Sequence, residues 1–551
     1  MKISLLADSA SQFLGQSLVG RAAIDNIDID LYEASYNQIE MELSDPNSGT
    51  FQHNPDFLII NYSAENLRDM FWNLSVENKS RFAQNFIKTL KLKITNIRNN
   101  VKIILNSIPL ISDGIYGHFE ASTEDSFDYQ LAEINLEIRK LAIKYSQVFI
   151  MNLQRIQANV GLSARIDQRF LIKSKMTLSL SILPQIAESY WGIISAIQGS
   201  KLKKCLILDL DNTIWGGVIG DDGIEGIQLG DIGIGLAFTN LQKYAKALKQ
   251  RGIILCVCSK NTESIAKAAF VEHPNMILNL DDIVLFVANW ENKADNIRYI
   301  KKVLNIGYDS MVFLDDNPFE RNLVRQELPK VCVPELPDDP VGYLPYIISL
   351  NLFETASVSV ADNNRTSQYK EEAERVSIQS NFTSLDDYLE NLDMKAEVGP
   401  FNKFSIARIA QLTQRSNQFN LRTIRYSAGE IEEIVNNKEY RSIQIRLRDK
   451  FGDYGIISSV ILKIDGNEFF IETWIMSCRV LKRGVEYVML DKIIELANSA
   501  GIERVVGEYL ETKKNVIVKD LYKSLGFLDE NDNWVLDVKN YQKKNKFISL
   551  N

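Results

Sequence analysis

Short apolar runs alternate with longer amphipathic stretches along residues 1–199. The apolar runs, which predict buried strands, are Ile3 to Ala7, Phe57 to Asn61, Lys102 to Asn106 and Gln147 to Asn152. The amphipathic stretches, which predict helices, include Lys79 to Ile97, Leu131 to Tyr145 and Pro184 to Gln198. This alternation is typical of an α/β layer fold, and Gly199 is its predicted end.

The same rhythm returns in residues 200–355, which we predict to be a second domain. Its predicted strands are Lys204 to Asp209, Ile253 to Cys258, Ile283 to Val287, Met311 to Leu314 and Val331 to Pro334. Its predicted helices are Leu236 to Gln250, Thr262 to Phe270 and Lys293 to Leu304. The pattern predicts a doubly wound parallel sheet, which binds ligands at the carboxyl ends of its strands.

The pattern changes after residue 355. Residues 356–395 are a predicted linker or helical segment, with the polar stretch Asp362 to Ser380 at their centre. In residues 396–551 the predicted helices are Phe404 to Gln414, Ser427 to Asn436 and Val485 to Ala500, and the predicted strands are Ser442 to Asp449, Tyr454 to Ile464 and Glu468 to Met476. This mixture predicts an α+β domain.

Composition narrows the class of protein. The 551 residues are 45% hydrophobic and 24% charged, which is ordinary for a globular protein of several domains. No stretch approaches the ~20 apolar residues of a membrane span, and Asp8 comes too early for a signal peptide, so we expect a cytoplasmic protein without a membrane partner. A net charge of -9 argues against nucleic acid as a partner. Three histidines make a histidine-rich metal site improbable.

The strand that begins at Cys205 ends in carboxylates at Asp209 and Asp211. Side chains two residues apart on a strand lie on the same face of the sheet. One carboxylate can then bind a metal and attack phosphorus while the other handles the proton.

Later strands end in groups that complete such a site. Ser259 ends the next strand, Lys293 begins a helix, and Asp315 and Asp316 end another strand. Each has an ordinary structural alternative when taken alone: Ser259 as a helix cap, Lys293 as a solvated charge, and Asp315 with Asp316 as a turn. Together they fall at one edge of one predicted sheet.

These four elements, in this order, resemble the haloacid dehalogenase (HAD) superfamily of aspartate-based phosphotransferases. The resemblance implies that Asp209 is the nucleophile, that Asp211 is general acid and then general base, and that Ser259 and Lys293 complete the catalytic set. The phosphate-binding residues that it implies are Thr213, Ser259, Asn261 and Lys293.

The resemblance also implies a Mg²⁺ site. Its ligands would be Asp209, Asp315, Asp316 and the backbone carbonyl of Asp211. Such an oxygen-only set suits a hard cation. Between Thr213 and Ser259 there is room only for a Gly-rich flap, Gly216 to Gly235, and one helix, so we expect a capless HAD domain.

The extended motif from Asp209 to Gly223, Asp-Leu-Asp-Asn-Thr-Ile-Trp-Gly-Gly-Val-Ile-Gly-Asp-Asp-Gly, resembles the FkbH-like branch, HAD subfamily IIIC. The stretches Phe451 to Gly455, Ser477 to Gly484 and Leu521 to Phe527 are similar to the acetyltransferase-like (GNAT-like) domain of that branch. The resemblance implies removal of phosphate from an activated glyceryl phosphate such as 1,3-bisphosphoglycerate. It further implies transfer of the glyceryl group to an acyl carrier protein thiol, as in polyketide biosynthesis.

An enzyme cysteine could relay the acyl group. Cys258 borders the predicted phosphate site, and Cys478 lies in the third domain beside Arg479, whose charge would lower a thiol pKa. The alternative for both is a buried structural cysteine.

The third domain departs from an acetyltransferase pyrophosphate loop, Arg-x-x-Gly-x-Gly, because Lys482 replaces the first glycine. CoA binding is therefore open. The clustered Arg479, Lys482 and Arg483 are a candidate docking patch for an acidic carrier or its phosphopantetheine, and a solvated helix start is the alternative.

The first domain resembles an SGNH-hydrolase-like or flavodoxin-like layer fold, with Ser9 after its first strand. An active version would need a histidine close after Asp167, and none follows, so we expect this domain to be non-catalytic. Two other functions stay open: a plain phosphatase or acyltransferase acting on a nucleotide-sugar or surface-polysaccharide precursor, and a non-catalytic scaffold. The set of carboxylates at one sheet edge disfavours the scaffold.

Overall fold

A computed structural model describes residues 1–98, 100–357, 368–371, 384–416, 418–530 and 533–550. The chain divides into two compact units: Met1–Ile197 with Ser427–Glu430, and Gln198–Tyr426 with Ile431–Asn551. Within the described ranges, every helix is too short or too polar to cross a membrane. The predicted linker stretch Asp362 to Ser380 lies outside the described residues except for 368–371.

The first unit contains a five-stranded parallel sheet in the order β2-β1-β3-β4-β5. Its strands are β1 (Lys2–Ala7), β2 (Asp30–Glu33), β3 (Phe57–Asn61), β4 (Lys102–Asn106) and β5 (Val148–Met151). Its helices are α1 (Gln12–Ile24), α2 (Ile39–Ser44), α3 (Gly49–His53), α4 (Ala64–Trp72), α5 (Val76–Lys79), α6 (Phe82–Thr95), α7 (Phe127–Lys144), α8 (Leu153–Val160), α9 (Leu162–Arg165), α10 (Gln168–Ser174) and α11 (Leu183–Ile197). The sequence pattern missed β2 because this edge strand carries the polar residues Asp30 and Glu33 and is only partly buried.

The second unit begins with a four-stranded parallel sheet in the order β8-β7-β6-β9. Its strands are β6 (Cys205–Leu208), β7 (Ile254–Ser259), β8 (Ile283–Ala288) and β9 (Met311–Leu314). Its helices are α12 (Ile219–Gly226), α13 (Gly233–Gln250), α14 (Glu263–Glu272), α15 (Lys293–Leu304), α16 (Pro318–Glu327) and α17 (Tyr343–Ser349). Apolar clusters cover both faces of the sheet, which explains why its strands are continuous hydrophobic runs.

One predicted strand of this sheet is wrong. Residues Val331 to Pro334 contribute only an isolated bridge between Val312 and Cys332. Two backbone hydrogen bonds hold it: Phe313 donates to the Cys332 carbonyl at 2.9 Å, and Cys332 donates to the Met311 carbonyl at 3.1 Å. The apolar run therefore hydrogen-bonds to the edge strand β9 but does not form a fifth strand of the sheet.

The second unit also contains a mixed nine-stranded sheet, in the order β16-β17-β15-β14-β13-β12-β10-β18, with β11 paired to β14. Its strands are β10 (Met394–Gly399), β11 (Phe419–Asn420), β12 (Tyr440–Arg448), β13 (Asp453–Asp465), β14 (Glu468–Met476), β15 (Arg504–Gly507), β16 (Leu528–Glu530), β17 (Asn533–Asp537) and β18 (Ile548–Leu550). The helices are α18 (Leu385–Asn391), α19 (Ile406–Arg415), α20 (Ala428–Asn436), α21 (Val485–Ala500) and α22 (Leu521–Leu525). The predicted multidomain α/β class, with an α+β C-terminal part, is confirmed, whereas the domain boundaries stay predictions.

A buried acid lies at the carboxyl end of β1. Asp8 is 6% exposed, and its carboxylate accepts hydrogen bonds from the Ser63 backbone N–H at 3.0 Å. Burial raises the pKa of Asp8 from 3.8 to about 7, against the lowering effect of the Ser63 hydrogen bonds. The folded protein therefore holds this proton more tightly than the unfolded chain does.

Replacing Asp8 with Asn is expected to stabilise the protein above pH 7. Because the folded pKa exceeds the unfolded one, wild-type stability falls as the pH rises from about 4 to about 7, and the variant lacks this loss. We expect a gain of about 2 kcal/mol or more at pH 8 and a smaller gain at pH 5, measured by urea unfolding. Asp28→Asn, at an exposed position, is the control and should show no such difference. An equal change in the free energy of unfolding at both pH values for Asp8→Asn would contradict a raised pKa of the buried Asp8 carboxyl.

Candidate active site

Three carboxylates meet at the carboxyl edge of the four-stranded parallel sheet. Asp209 follows β6, and Asp315 and Asp316 follow the neighbouring strand β9. One carboxylate oxygen of each lies within 4.8 Å of the others. The hydrogen bond from the Asp209 backbone N–H to the Leu314 carbonyl, 2.9 Å, continues the strand pairing up to this point. Adjacent parallel strands thus bring together acids that are more than 100 residues apart in sequence.

Lys293 provides the positive charge for this cluster. It is the first residue of α15, after the cap Asn292, and is 3% exposed. Its ammonium lies 2.9 Å from Asp209 Oδ2 and 2.5 Å from Asp315 Oδ2. Burial alone would lower the pKa of Lys293, but the two carboxylates outweigh it and raise the pKa above its ordinary value. Lys293 therefore stays protonated in the site.

The cluster has room for a further cation. Burial and the charge of Asp209 raise the pKa of Asp315 to about 7, against the effect of Lys293, and the same two causes raise the pKa of Asp316. One ammonium thus leaves three carboxylates short of positive charge. Asp209 Oδ1 is buried and has no hydrogen-bond partner among the described residues. An oxygen-only acidic set with an unsatisfied oxygen fits a hard divalent cation.

Asp211 is held separately from the three clustered acids. Its Oδ1 accepts hydrogen bonds from the Trp215 indole N–H at 2.9 Å and from the Ile219 backbone N–H at 3.0 Å. Its Oδ2 accepts one from Asn261 Nδ2 at 2.9 Å. Three donors fix the orientation of this carboxylate beside the Asp209 cluster. Trp215 and the Ile219 backbone were not predicted from the sequence, although both lie in the Trp-Gly-Gly extension.

The predicted phosphate-binding residues divide into two groups. Asn261 and Ser259 lie together, since Asn261 Nδ2 donates to Ser259 Oγ at 3.1 Å, and both side chains are buried. The Thr213 hydroxyl donates to Asp316 Oδ1 at 3.3 Å and accepts from the Asp316 backbone N–H at 3.1 Å. Thr213 therefore orients an acid of the cluster, and its phosphate-binding role stays a prediction.

Arg321 is a supporting residue that sequence reasoning missed. Its guanidinium is 3% exposed and donates to the backbone carbonyls of Asp315 at 2.9 Å and Asp316 at 2.6 Å. These bonds hold the turn between β9 and α16, on which the two acids lie. No pattern in the sequence distinguishes Arg321 from the other charges of an amphipathic helix.

Comparison with known proteins agrees with this site. The family described as "FkbH, N-terminal domain" matches residues 2–195. The N-terminal part of the protein BF1531 from Bacteroides fragilis, solved as containing a phosphatase domain complexed with Mg, is 48% identical, with a TM-score of 0.63. That match covers 65% of this chain and 94% of the other. The chain belongs to the FkbH-like family of the HAD superfamily.

More distant similarities involve acetyltransferases. The ribosomal-protein-S18-alanine N-acetyltransferase from Escherichia coli is 13% identical, covering 28% of this chain and 99% of its own, with a TM-score of 0.22. The spermidine N-acetyltransferase from Vibrio cholerae, solved with CoA and spermine, has the same identity and TM-score, covering 27% and 98%. Comparison with curated proteins gives no match. Acetyl transfer and CoA binding by this FkbH-like chain stay predictions.

The two candidate relay cysteines have different environments. Cys258 is fully buried on a core-facing side of β7, and burial raises the pKa of its thiol far above the ordinary value. A thiol that stays protonated and enclosed cannot attack an acyl phosphate, so the structure argues against Cys258 as a relay. Cys478 is partly exposed, and its backbone carbonyl accepts a hydrogen bond from Asn305 Nδ2 at 2.9 Å. Of the two, Cys478 alone remains accessible.

The proposed basic patch is not a surface patch. Arg479 is 7% exposed and donates to Ser477 Oγ at 3.3 Å and to the Tyr454 carbonyl at 3.4 Å. Arg483 is 5% exposed and lies 3.6 Å from the carboxylate of Asp449. Only Lys482 of the three is exposed, with a left-handed backbone (φ +62°) at the position of the missing glycine. Two of the three side chains are therefore buried, and the docking of a carrier by this segment stays a prediction.

Ser9 lies in the first unit with its hydroxyl buried. It accepts a hydrogen bond from the Thr177 hydroxyl at 3.0 Å. Asp167 caps α10 and pairs with Arg169 at 2.8 Å. None of the three histidines, all of which the structure describes, hydrogen-bonds to Ser9. That this first domain is non-catalytic stays a prediction.

Proposed function

We propose that this FkbH-like chain is a Mg²⁺-dependent phosphatase of the HAD type. The observation that carries the proposal is the cluster of Asp209, Asp315 and the partly buried Asp316, in which Lys293 pairs with the first two and Asp209 Oδ1 is unsatisfied by the described residues. The Bacteroides fragilis relative, whose phosphatase domain was solved with Mg, supports the same assignment.

Asp209, Asp315, Asp316 and the backbone carbonyl of Asp211 would hold the ion. When bound, Mg²⁺ would draw charge from the phosphoryl oxygens of the substrate. Lys293 would neutralise further charge on those oxygens, while the Ser259 hydroxyl would donate a hydrogen bond to them. Asn261 Nδ2 donates to Ser259 Oγ and to Asp211 Oδ2, and these two bonds already orient the hydroxyl and the carboxylate.

The covalent steps would use two carboxylates. Asp209 would attack phosphorus, forming a P–O bond as the bond to the leaving oxygen breaks, and Asp211 would donate a proton to that oxygen. Asp211 would then take a proton from water as the water attacks the aspartyl phosphate and releases inorganic phosphate. The three donors to Asp211 hold it in position for both transfers.

Thr213→Val is expected to weaken Mg²⁺ binding by about tenfold, with little change in stability. The substitution keeps the shape of the side chain but removes both hydrogen bonds to Asp316, so this ligand loses its orientation. Isothermal titration of Mg²⁺ measures the effect. Thr213→Ser keeps the hydroxyl and is the matched control, and equal affinities for the two variants would contradict the positioning role.

The finer proposal concerns the substrate. The resemblance to the FkbH-like branch implies loading of a glyceryl group onto an acyl carrier protein, and we propose that Asp209 removes the phosphate ester of a 1,3-bisphosphoglycerate-like substrate, not its acyl phosphate. The carrier's phosphopantetheine thiol would attack the acyl carbon, and a C–S bond would form as the C–O bond to the acyl phosphate breaks and inorganic phosphate leaves. Lys482 is the exposed cation of the candidate docking segment and would face an acidic carrier surface.

A second candidate function is phosphate release without acyl transfer. The burial of Cys258 favours it, because this is the cysteine that borders the phosphate site and it is not accessible to substrate. Under this alternative the substrate would be another phosphorylated small molecule, such as a nucleotide-sugar or surface-polysaccharide precursor.

One experiment separates the two functions. The full chain is incubated with Mg²⁺, 1,3-bisphosphoglycerate and a holo carrier protein, and both proteins are weighed by intact mass spectrometry. A glyceryl adduct on the carrier supports acyl transfer, whereas phosphate release without an adduct supports the plain phosphatase. Absence of both with every phosphorylated substrate tried would reject the phosphatase proposal itself.

The relay role of Cys478 has a matched control in Cys332, which is also free and partly exposed. If Cys478 carries the acyl group, Cys478→Ser abolishes the carrier adduct but not phosphate release, and Cys332→Ser changes neither. If Cys478→Ser leaves the amount of glyceryl adduct on the carrier unchanged, Cys478 is not an acyl relay.

A further inference from the structure

The second unit contains a cavity of about 580 Å³ away from the carboxylate cluster. It borders Lys204, which precedes β6, and residues 305–310, which precede β9. These are the amino ends of the parallel strands, whereas Asp209 and Asp315 follow the carboxyl ends of the same two strands. The cavity therefore lies at the opposite edge of the sheet from the active site.

Positive charge dominates the wall of this cavity. The four-stranded part of the unit contributes Lys204, Lys301 and Lys330. The mixed-sheet part contributes Arg408, Arg479, Lys513 and Lys514. Asp309 is the one carboxylate in the described lining, and Lys514 already pairs with it at 2.6 Å. Seven cations around one cavity are unexpected in a chain whose net charge is -9.

Much of this charge has no internal partner in the described structure. No described carboxylate lies within ion-pair distance of Lys301, Lys330 or Lys513, and all three residues are exposed. Cations that face one cavity repel each other unless an anion occupies it. An anionic ligand would relieve that repulsion and would gain several charge-assisted hydrogen bonds.

The cavity also has an apolar side and a size that limits its ligand. Tyr308, Leu412 and Phe419 line it, and the Lys301 ammonium lies 5.2 Å from the centre of the Tyr308 ring. A volume of about 580 Å³ suits a small molecule and excludes a folded protein. An organic phosphate could place its charged groups beside the cations and its ring or alkyl part against the aromatic side chains.

We propose that this cavity binds a phosphorylated small molecule with at least two negative charges, at a site separate from the catalytic carboxylates. Its anionic groups would contact Lys301, Lys330 and Lys513, and its uncharged part would lie against Tyr308 and Phe419.

Isothermal titration of the full chain in EDTA tests the site, because without a divalent ion the carboxylate cluster repels anions. The probes are pyrophosphate, ADP and adenosine. We expect one site per chain for pyrophosphate, tighter binding for ADP, no binding for adenosine, and weaker binding at high salt. Lack of binding by both pyrophosphate and ADP would overturn the proposal, as would equal binding of ADP and adenosine.

Charge reversal locates the site. Lys301→Glu with Lys513→Glu should weaken ADP binding by roughly tenfold or more. Lys302→Glu with Lys523→Glu makes the same charge change at exposed positions that do not line the cavity and should leave binding nearly unchanged. Equal effects of the two pairs would show a general charge effect and overturn the assignment. If the first pair fails to fold, the milder Lys330→Ala is measured against Lys302→Ala.

A second readout uses Cys478, which also lines the cavity. Bound ADP should slow its alkylation by iodoacetamide, measured by peptide mass spectrometry, without slowing that of Cys332. Unchanged alkylation of Cys478 at saturating ADP would place the bound nucleotide elsewhere and reject the site.

Discussion

Replacing Asp209 with Asn is expected to reduce phosphate release by about 10⁴-fold or more, because the amide can neither attack phosphorus nor carry the charge of the proposed Mg²⁺ ligand. The change is nearly isosteric, so the fold should survive. Release of inorganic phosphate from a phosphate ester, with Mg²⁺ present, measures the effect.

The control for Asp209→Asn is Asp295→Asn. Asp295 lies on the exposed surface of α15 and pairs with Arg298 at 2.5 Å. Its replacement by Asn should leave phosphate release unchanged. Full phosphate release by Asp209→Asn, with normal secondary structure, would be incompatible with the proposed mechanism.

Replacing Lys293 with Met is expected to destabilise the metal-free protein by about 3 kcal/mol at pH 8. The substitution removes the ammonium that lies 2.9 Å from Asp209 and 2.5 Å from Asp315, leaving buried carboxylates next to each other. The loss should be smaller at pH 5. Without Lys293 the pKa of Asp315, already raised to about 7, rises further, so the folded variant binds a proton that the unfolded chain does not hold. Stability of the variant therefore falls as the pH rises through 7.

Denaturant unfolding in EDTA measures this prediction, with Lys302→Met on the exposed side of the same helix as the control. Added Mg²⁺ should recover part of the stability of Lys293→Met, because the ion supplies positive charge to the same carboxylates. A Lys293→Met protein as stable as the wild type at pH 8 would mean that these acids do not share a buried ionised cluster.

The parallel sheets could be predicted well because their strands are buried on both faces. Runs such as Met311–Leu314 are continuous and apolar, and their ends carry polar residues, so both the strand and its boundary are visible in the sequence. The edge strand Asp30–Glu33 was missed because it is polar and half-buried. The apolar run that begins at Val331 was wrongly predicted to be a strand, because hydrophobicity alone does not show whether a segment pairs with a neighbouring strand along its length.

The order of motifs at strand ends predicted that Asp209, Ser259, Lys293 and Asp315 lie at one edge, and the structure brings them together there. Their individual contacts could not be predicted. Thr213 hydrogen-bonds to Asp316, and Arg321 holds the turn through backbone carbonyls. Both depend on side-chain directions that strand periodicity leaves undetermined.

The sequence by itself determined the α/β class and the family-level motif, because both depend on local periodicity and on residues close together along the chain. Only the tertiary structure decided which charges are available to ligands. Arg483 is adjacent to exposed Lys482 in the sequence but is buried beside the Asp449 carboxylate. Lys301 and Lys513 are far apart in the sequence and line one cavity. Burial and charge pairing arise when distant elements pack, so a linear pattern of charges does not reveal them.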